Sequence, residues 1–551
     1  MKPKNRVDEL NGVMLFDHQW NAYKRYKETD EVPLFFEMGC GKSLTTLCIV
    51  GDAFKRKRID SLLVIAPNDV HKQWATEQCQ WFKDVLVLNG EQHVGMNIPY
   101  EVQCVGGRGG QKKGMWQFQN DGKLHIVCVN VDTFSQPTKW KPIAEWADRP
   151  ECAIVLDEAT SIKNYDSQRT QHILYAFNDV KRMRNKILSN TKVAKYRFVL
   201  TGTPTTNGPM DLWCIMEFVR PNFFHRDRYS FRYHYGMFTQ LGVNTGGSVR
   251  TIHVPLTEKS WRGIKSCTDY NEAFAMFGCS QDTFFTVHSQ DHFEGPYKHC
   301  EELKQQLSTV ATFCKLTDCV DMPQQNYITH TLTMSDELAG CYKSMQREQS
   351  VIYNNHVSTA LSKLAAATRL QQISSGFIYG QNLNPEELED GEMDILPNEV
   401  TWIGNSNPKL EAIKRDIAES DLPILILTRY TAEASRLYDE FKDKYSTLLY
   451  TGWKKTGNLD DFKNGKYDLL VANTACIARG FNLQNAHTTL FYSNTFSMEL
   501  RQQAEFRTFR IGQKENCKYV DYVYEGTIDE DIVRALKMKK NMLEYFRRQE
   551  K

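Results

Sequence analysis

Residues 37–43 read Glu-Met-Gly-Cys-Gly-Lys-Ser, and they combine the residue types that bind a polyphosphate. Gly39 and Gly41 let backbone N–H groups approach phosphate oxygens closely. Lys42 can reach the terminal phosphates, and the Ser43 hydroxyl is a ligand for Mg²⁺. The loop is one glycine short of the full P-loop pattern, and a glycine turn ahead of a core helix is the alternative. The stretch predicts a site for ATP and Mg²⁺.

Two carboxylates could complete this chemistry. The apolar residues 153–156 lead directly into Asp157 and Glu158. Carboxylates at the C-terminal end of a parallel strand face the crevice where ligands bind. Asp157 can then hold Mg²⁺, and Glu158 can orient a water molecule for attack on the γ-phosphate. The alternative, an acidic pair that caps a helix, is disfavoured by the glycine loop upstream.

Three polar residues are candidates for supporting roles. Gln19 precedes the glycine loop, and its amide both donates and accepts, as reading an adenine edge requires. Thr201 and Thr203 follow the apolar residues 198–200. Hydroxyl groups at a strand end can contact the second carboxylate and couple its state to another surface. The alternatives are a surface helix for Gln19 and a Gly-Pro turn for the threonines.

The segments that must position these residues alternate between strand and helix patterns, which predicts parallel sheets. The second half of the chain repeats the alternation without a glycine loop of its own, so it can act as a lid. The strand-length apolar runs are residues 34–36, 61–66, 125–129, 153–156 and 198–200, and then 424–428, 446–450 and 469–472.

Residues 225–305 do not alternate in this way and predict a mostly helical insertion. Aromatic residues interleaved with arginine at 223–235 suit stacking on bases or, as the favoured interpretation, the core face of a helix. Basic stretches at 106–114 and 181–197 can neutralise phosphates or form a solvated surface. The histidines and cysteine within 288–300 do not have the spacing of a common zinc site.

Length and composition limit the classes of protein. The 551 residues predict two to four domains, and the net charge of +1 means that any basic surface is local. Fifteen cysteines without a Cys-x-x-Cys pair indicate reduced thiols. No apolar run is long enough to span a bilayer, and the N-terminus has no hydrophobic stretch. We therefore expect an intracellular protein that does not enter a membrane.

The motifs of the first half, in their order, resemble those of the Swi/Snf family of DNA-translocating ATPases in helicase superfamily two. Thr160 stands where the family has the histidine that commonly links the ATP site to the coupling motif. The matching stretches are residues 37–43, 67–77, 157–160 with Lys163 and Asn164, and 200–207 with 211–213.

In the second half, residues 501–513 are similar to the arginine-finger motif of that family, Gln-x-x-x-Arg-x-x-Arg-Ile-Gly-Gln. Arg507 and Arg510 are three residues apart and should project from one face of a helix. A guanidinium fork at a γ-phosphate stabilises the charge of the transferring oxygens. The residues that match nucleotide-binding or coupling positions of the family are Gln503, Thr474, Gly480 and Asn482.

The resemblance implies an α/β fold with two RecA-like parallel-sheet lobes, a mostly helical insertion between them, and ATP in the cleft that closes between the lobes. Lys42, Glu158, Arg507 and Arg510 are then catalytic. The implied domains are 1–224 for lobe 1, 225–325 for the insertion and the end of lobe 1, 326–400 for a helical segment and linker, and 401–551 for lobe 2.

The implied function is an ATP-dependent translocase or remodeller of double-stranded DNA, stimulated by nucleic acid and working as a monomer on DNA. A protein partner in replication, repair or transcription is expected. Three alternatives stay open: a strand-separating, fork-remodelling or annealing helicase, an RNA-directed motor, and a nucleotide-gated scaffold without turnover. The compact build favours a bacterial, phage or viral origin and a bacterial or phage-infected cytoplasm over the nucleus.

Overall fold

In the computed structural model the chain divides into two compact units. The N-terminal unit comprises Lys2–Asp321 together with Met538–Lys551, and the C-terminal unit comprises Met322–Lys537. No helix among the described residues is long and apolar enough to cross a membrane. The structure describes residues 7–10, 13–68, 70–88, 91–105, 121–177, 180–183, 186–189, 196–244, 249–293, 295–354, 356–360, 362–382, 399–404, 407–477 and 482–547.

The N-terminal unit is built on a seven-stranded sheet in which every neighbouring pair is parallel. Its central strands are apolar throughout because a parallel sheet is covered on both faces, and all six residues of Ser61–Ala66 are buried. The spatial order is Thr312–Cys314, Glu31–Phe36, Arg197–Leu200, Cys152–Asp157, Ser61–Ala66, Leu124–Asn130 and Tyr100–Val105.

The strand order brings three predicted motifs to one edge of this sheet. Arg197–Leu200 lies between Glu31–Phe36 and Cys152–Asp157, and Leu200 pairs with both Leu34 and Asp157. The glycine loop, the carboxylates and the threonine loop therefore follow three adjacent strands at their carboxyl ends.

Helices accompany this sheet, and short antiparallel hairpins lie outside it. The helices before the insertion are Asp17–Tyr26, Lys42–Lys55, Val70–Thr76, Pro137–Ala147, Gln168–Phe177 and Leu212–Val219. The hairpins pair Val7–Leu10 with Val13–Phe16, Val85–Leu88 with Glu91–Val94, and Val180–Met183 with Lys186–Ser189.

The insertion is mostly helical, as predicted, but it also contains an antiparallel hairpin of Phe238–Asn244 and Val249–Pro255. Its helices form a small core of their own around Trp261 and Ile264. The helices from the insertion to the end of this stretch are Arg228–Tyr235, Glu258–Ser266, Tyr270–Phe277, Gln281–Ser289, Cys300–Val310 and Leu316–Cys319.

Helix Arg228–Tyr235 shows how the aromatic and basic stretch is used. Phe231 and Tyr235 are buried, whereas Tyr229 is 66% exposed. Arg228 donates to both carboxylate oxygens of Asp166, at 2.7 and 2.6 Å. The two buried rings thus form a core face, and the arginine is paired within the protein.

The C-terminal unit contains a six-stranded parallel sheet. Its spatial order is Gln325–Leu332, Cys517–Tyr524, Thr488–Phe491, Ile424–Thr428, Leu469–Asn473 and Thr447–Tyr450. The helices are Asp336–Glu348, Lys363–Ser374, Pro408–Ala418, Thr431–Phe441, Leu459–Lys463, Thr474–Ile477, Met498–Thr508 and Ile528–Arg547.

The structure differs from the sequence interpretation of residues 326–400 as a helical segment and linker. Gln325–Leu332 is an edge strand of the sheet, parallel to Cys517–Tyr524. A separate antiparallel sheet follows, with the strands Ser350–Tyr353, His356–Thr359, Phe377–Asn382 and Glu399–Trp402. The residues assigned to a helical segment and linker therefore include part of the second parallel sheet.

Helix Ile528–Arg547 belongs to both units, because the division falls at Met538. In the C-terminal unit, Asp529 pairs with the buried Lys409, with Oδ2 and Nζ 2.6 Å apart. In the N-terminal unit, Phe546 belongs to the main hydrophobic core. The expected lobe 2 of residues 401–551 thus extends too far, since its last residues fold with the other unit.

Candidate active site

The glycine loop joins strand Glu31–Phe36 to helix Lys42–Lys55. Gly39 and Gly41 have φ angles of +88° and +75°, in the left-handed region that favours glycine. A Cβ atom on Gly41 would lie 2.1 Å from Nε2 of Gln19. Both conformation and space therefore require glycine at position 41, immediately before the N-terminus of a helix, where anions bind.

Lys42 is positioned by the backbone that enters the loop. Its Nζ donates to the carbonyl oxygens of Phe36 and Glu37, at 3.0 and 3.5 Å. Ser43 follows in the first turn of the helix and is partly exposed. The Lys42 ammonium group, held by neutral carbonyl oxygens, is suited to bind phosphate oxygens. The neighbouring Ser43 hydroxyl is suited to ligate the accompanying cation.

Gln19 is buried and connects helix Asp17–Tyr26 to the glycine loop. Its Oε1 accepts from the Phe16 amide at 2.9 Å, and its Nε2 donates to the Cys40 carbonyl at 3.4 Å. The amide thus has partners within the protein. The recognition of adenine by Gln19 stays a prediction.

Asp157 ends its strand as a buried and oriented carboxylate. Its Oδ2 accepts from Nε1 of Trp74 at 2.7 Å, and its Oδ1 accepts from the Glu158 amide at 2.9 Å. The pKa of Asp157 is raised above its usual value, because burial outweighs the Lys42 charge and these two donors, which lower it. Glu158 has a φ angle of +49° and is followed by the 3-10 turn Ala159–Ile162.

Trp74 was not among the predicted site residues, although it lies in the second stretch that resembles the family. It orients the carboxylate that is the predicted Mg²⁺ ligand. Only the spacing of Trp74 from Pro67 within that stretch could have signalled this role, because the contact joins residues 83 positions apart.

The threonine loop after strand Arg197–Leu200 is held by internal hydrogen bonds. The Thr201 Oγ1 accepts from the Thr203 amide at 3.1 Å. Both threonines are buried. Farther along the loop, Lys163 Nζ donates to Thr206 Oγ1 at 2.9 Å, and that hydroxyl donates to Asp211 at 2.8 Å. The loop is thereby fastened to the segment that follows Asp157 and Glu158.

A second network lies beside the glycine loop and was not predicted. Glu37 and Arg547 form a buried ion pair, and Arg547 also donates to the Gly202 carbonyl. The other Glu37 oxygen accepts from the Leu316 amide at 2.9 Å. One guanidinium from the end of the chain therefore joins the strand before the glycine loop to the threonine loop.

In the C-terminal unit, the predicted arginine pair is arranged differently from the expectation. Arg507 lies in helix Met498–Thr508, whereas Arg510 lies beyond its end. The chain leaves the helix at Phe509, with φ −89° and ψ 84°, and turns again at Gly512, whose φ is +103°. The prediction that both arginines project from one helical face is wrong. Burial lowers the pKa of Arg510.

Helix Met498–Thr508, which carries Arg507 and is called the arginine helix below, is held in place by a buried hydrogen-bond network. The sequence motif gave no indication of this network. Arg501 Nη1 donates to Asp521 Oδ1 at 2.5 Å and to Asn494 Oδ1 at 2.7 Å. Its Nε donates to Glu505 Oε1 at 2.6 Å. These bonds attach helix Met498–Thr508 to the adjacent strands and set the position of the residues that follow.

The other predicted site residues of the C-terminal unit differ in how far they are exposed to solvent. Thr474 is buried and its hydroxyl donates to the Thr428 carbonyl at 3.2 Å. Asn482 is exposed, and its side chain accepts from the Gln484 amide at 3.3 Å. Gln503 lies on the arginine helix and is partly exposed. Gly480 lies outside the described residues.

These features define a P-loop nucleotide-binding protein with two parallel-sheet units. Residues 18–376 match the family described as the SNF2-related domain, and residues 408–512 match the helicase conserved C-terminal domain. The chain belongs to the SNF2-related family.

Curated relatives match nearly the whole chain at low identity. The probable ATP-dependent DNA helicase CHR12 of Arabidopsis thaliana is 20% identical over 96% of this chain and 41% of its own length. The chromodomain-helicase-DNA-binding protein 3 homolog of Caenorhabditis elegans is 21% identical over 96% of this chain and 26% of its own length. The chain thus spans less than half the length of these relatives.

A solved structure described as the Sulfolobus solfataricus SWI2/SNF2 ATPase core in complex with dsDNA also matches. The match covers 98% of this chain and 94% of that chain, with 18% identity and a TM-score of 0.37.

Proposed function

We propose that the chain is an ATP-dependent translocase or remodeller of double-stranded DNA that hydrolyses ATP to ADP and phosphate. The observation that carries this proposal is the convergence of the glycine loop, Lys42 and the oriented Asp157 at neighbouring strand ends of one sheet. Membership of the SNF2-related family supports it, as does the name of the relative CHR12, a probable ATP-dependent DNA helicase.

Four residues of the N-terminal unit have different proposed roles at the bound nucleotide. Ser43 and Asp157 would hold Mg²⁺, which supplies positive charge at the phosphates. Lys42 binds the terminal phosphates, and Glu158 orients the attacking water. The family resemblance assigns Arg507 and Arg510 to stabilisation of charge on the transferring oxygens, and this role stays a prediction.

Hydrolysis must be coupled to the nucleic acid. We assign this coupling to Thr201 and Thr203 in one unit and to Thr474, Asn482 and Gln503 in the other. The buried threonines act through neighbouring backbone, while the exposed Asn482 can contact the nucleic acid directly. Because the net charge is only +1, the DNA-binding surface must be a local concentration of basic residues.

We further propose that the protein acts inside a cell, as a monomer on DNA, with a partner from replication, repair or transcription. None of the fifteen cysteines, all of which lie in the described residues, forms a disulfide, which is consistent with a reducing compartment. A bacterial or phage-infected cytoplasm is the setting we favour over the nucleus.

ATPase assays with different nucleic acids test the proposal. We expect the largest stimulation with blunt duplex DNA, less with single-stranded or forked DNA, and least with RNA. Lys42→Ala should abolish the stimulated activity, whereas Lys442→Ala, an exposed lysine of the other unit, should keep it. Greater stimulation by RNA, or equal rates with and without nucleic acid, would contradict the proposal.

A further inference from the structure

Three potential metal ligands from segments far apart in the sequence converge beside the glycine loop, and Cys40 of the loop itself lies next to one of them. His18 lies on the first helix after the N-terminal hairpin, and Cys40 lies between the two loop glycines. Cys314 ends the strand Thr312–Cys314, and Cys319 ends the helical turn Leu316–Cys319. The ligand atoms of His18, Cys314 and Cys319 all lie within 4.8 Å of one another. Within the described part of the chain, no other group of three histidine, cysteine or acidic residues meets this criterion.

The tautomer and orientation of the His18 imidazole suit metal binding through Nδ1. Its Nε2 lies 2.8 Å from the Cys40 carbonyl oxygen, which can only accept, so Nε2 carries the proton and donates. Nδ1 is then a bare acceptor, and this atom is buried without a hydrogen-bond partner among the described residues. Histidines that bind metals are typically oriented in this way, with the other ring N–H donated to a carbonyl.

All three cysteines are buried. Cys40, Cys314 and Cys319 are 2%, 8% and 5% exposed. The Cys314 and Cys319 sulfurs are 2.9 Å apart, and the Cys40 sulfur lies 3.9 Å from the Cys314 carbonyl oxygen. In a tetrahedral site with Zn–S bonds of about 2.3 Å, two sulfurs are about 3.8 Å apart. A small outward movement of one thiol would therefore admit the ion.

The donor set identifies the ion. Thiolates together with one imidazole favour Zn²⁺, whose structural sites are tetrahedral and include the Cys₃His combination. Buried cysteines also occur as small apolar residues, but simple packing gives no reason for an unpartnered imidazole nitrogen beside them.

We propose that His18, Cys314 and Cys319, with Cys40 as the fourth donor, form a structural Zn²⁺ site beside the phosphate-binding loop. Binding releases the protons of the thiols that become thiolates. Since Cys40 lies within the loop, the ion would fasten the loop to both the first helix and the end strand of the sheet. The site is separate from the Mg²⁺ ligands Ser43 and Asp157 proposed above, and it does not depend on the proposed function.

The test is the zinc content of the full-length protein, purified without a metal-affinity step from cells grown with added zinc. Elemental analysis should find about one zinc ion per chain, as a closed structural site requires. The double variant Cys314→Ser/Cys319→Ser should lose at least about four-fifths of it, because only two ligands are left. Cys214→Ser, a buried cysteine on helix Leu212–Val219 of the same unit, is the matched control and should keep the ion.

A spectrum of the unmutated chain keeps the test independent of variant folding. Zinc removed by chelation and replaced by Co²⁺ should give the visible bands of tetrahedral cobalt and thiolate-to-cobalt absorption. The single variant His18→Ala should change these bands. Zinc below about one-fifth of an ion per chain together with no cobalt–thiolate absorption would overturn the proposal. A disulfide between Cys314 and Cys319 in protein purified under reducing conditions would also overturn it.

Discussion

The carboxylate of Asp157 is oriented from both sides by hydrogen-bond donors. The Trp74 indole and the Glu158 amide each bind one oxygen, and the remaining lone pairs are left for a cation. Donors behind a metal-binding carboxylate fix its direction, and their loss typically costs about 10–100-fold in metal affinity. Trp74 is therefore a positioning residue for the proposed Mg²⁺ site.

Trp74→Phe tests this role. We expect the Mg²⁺ concentration for half-maximal ATPase activity to rise by about 10–100-fold, because Oδ2 of Asp157 loses its donor. Activity should recover substantially at saturating Mg²⁺. Trp261→Phe is the control, since its indole donates to Gln290 in the insertion, at 3.0 Å. A lower maximal rate with an unchanged Mg²⁺ requirement would mean that Trp74 only supports packing.

At this scale the sequence could identify residues whose roles depend on local order. The glycine loop and Asp157 with Glu158 follow apolar strands within a few positions, so their placement at strand ends was predictable. Trp74 and Arg547 could not be assigned, because their partners lie far away in sequence. Arg510 was misplaced because the end of a helix depends on backbone angles at Phe509 and Gly512, not on residue spacing alone.

Helix Ile528–Arg547 stabilises the N-terminal unit, a role that the sequence did not indicate. Its last turn presents Arg547 to Glu37 and to the Gly202 carbonyl, and both charged side chains are less than 10% exposed. Breaking a buried ion pair by removing one partner leaves an uncompensated charge, at a cost of about 3–5 kcal/mol. The helix therefore stabilises the strand that carries the glycine loop.

Arg547→Met should destabilise the N-terminal unit by about 3–5 kcal/mol, measured as a shift of its urea unfolding transition by tryptophan fluorescence. Glu37→Met/Arg547→Met should recover part of this loss, because no unpaired charge is left. Arg534→Ala, on the same helix, removes a side chain that is 60% exposed and should cost less than about 1 kcal/mol. A loss below about 1 kcal/mol for Arg547→Met would show that the pair contributes little.

Elements were predictable from the sequence where burial is complete. Strands such as Ser61–Ala66 and Ile424–Thr428 are covered on both faces and read as continuous apolar runs. The edge strand Gln325–Leu332 has no such pattern, because all eight of its residues are at least partly exposed and several are polar. Its partner Cys517–Tyr524 is almost 200 positions away, so no local signal could pair them.

At the scale of the whole molecule, the two units have separate hydrophobic cores and should unfold in separable steps. Multi-domain proteins commonly depart from two-state unfolding. The division near Asp321 was close to the predicted boundary at 325, but residues 538–551 could not be assigned to the N-terminal unit. Their membership depends on packing of Phe546 and on the pairing of Arg547, which no nearby residue indicates.

Binding of ADP and Mg²⁺ should stabilise the unit that holds the glycine loop, and calorimetry measures this as a shift of the unfolding transition of that unit. At a free ADP concentration of about 100 times its Kd, we expect a gain of about 2.7 kcal/mol in that transition. Lys42→Ala should remove this gain, whereas Arg510→Ala should keep it, because ADP lacks the γ-phosphate whose charge this arginine is predicted to stabilise. A gain confined to the second transition would contradict the assignment of the nucleotide to the N-terminal unit.

The shared helix Ile528–Arg547 also decides how the molecule can be dissected. A fragment that stops at Asp321 lacks Phe546 and Arg547, so it should be a poor stand-in for the isolated nucleotide-binding half. A circular permutant that starts at Met322, with residue 551 joined to residue 1 by a linker, places residues 538–551 ahead of residues 2–321. That rearrangement turns a half assembled from two distant stretches into one uninterrupted stretch of chain.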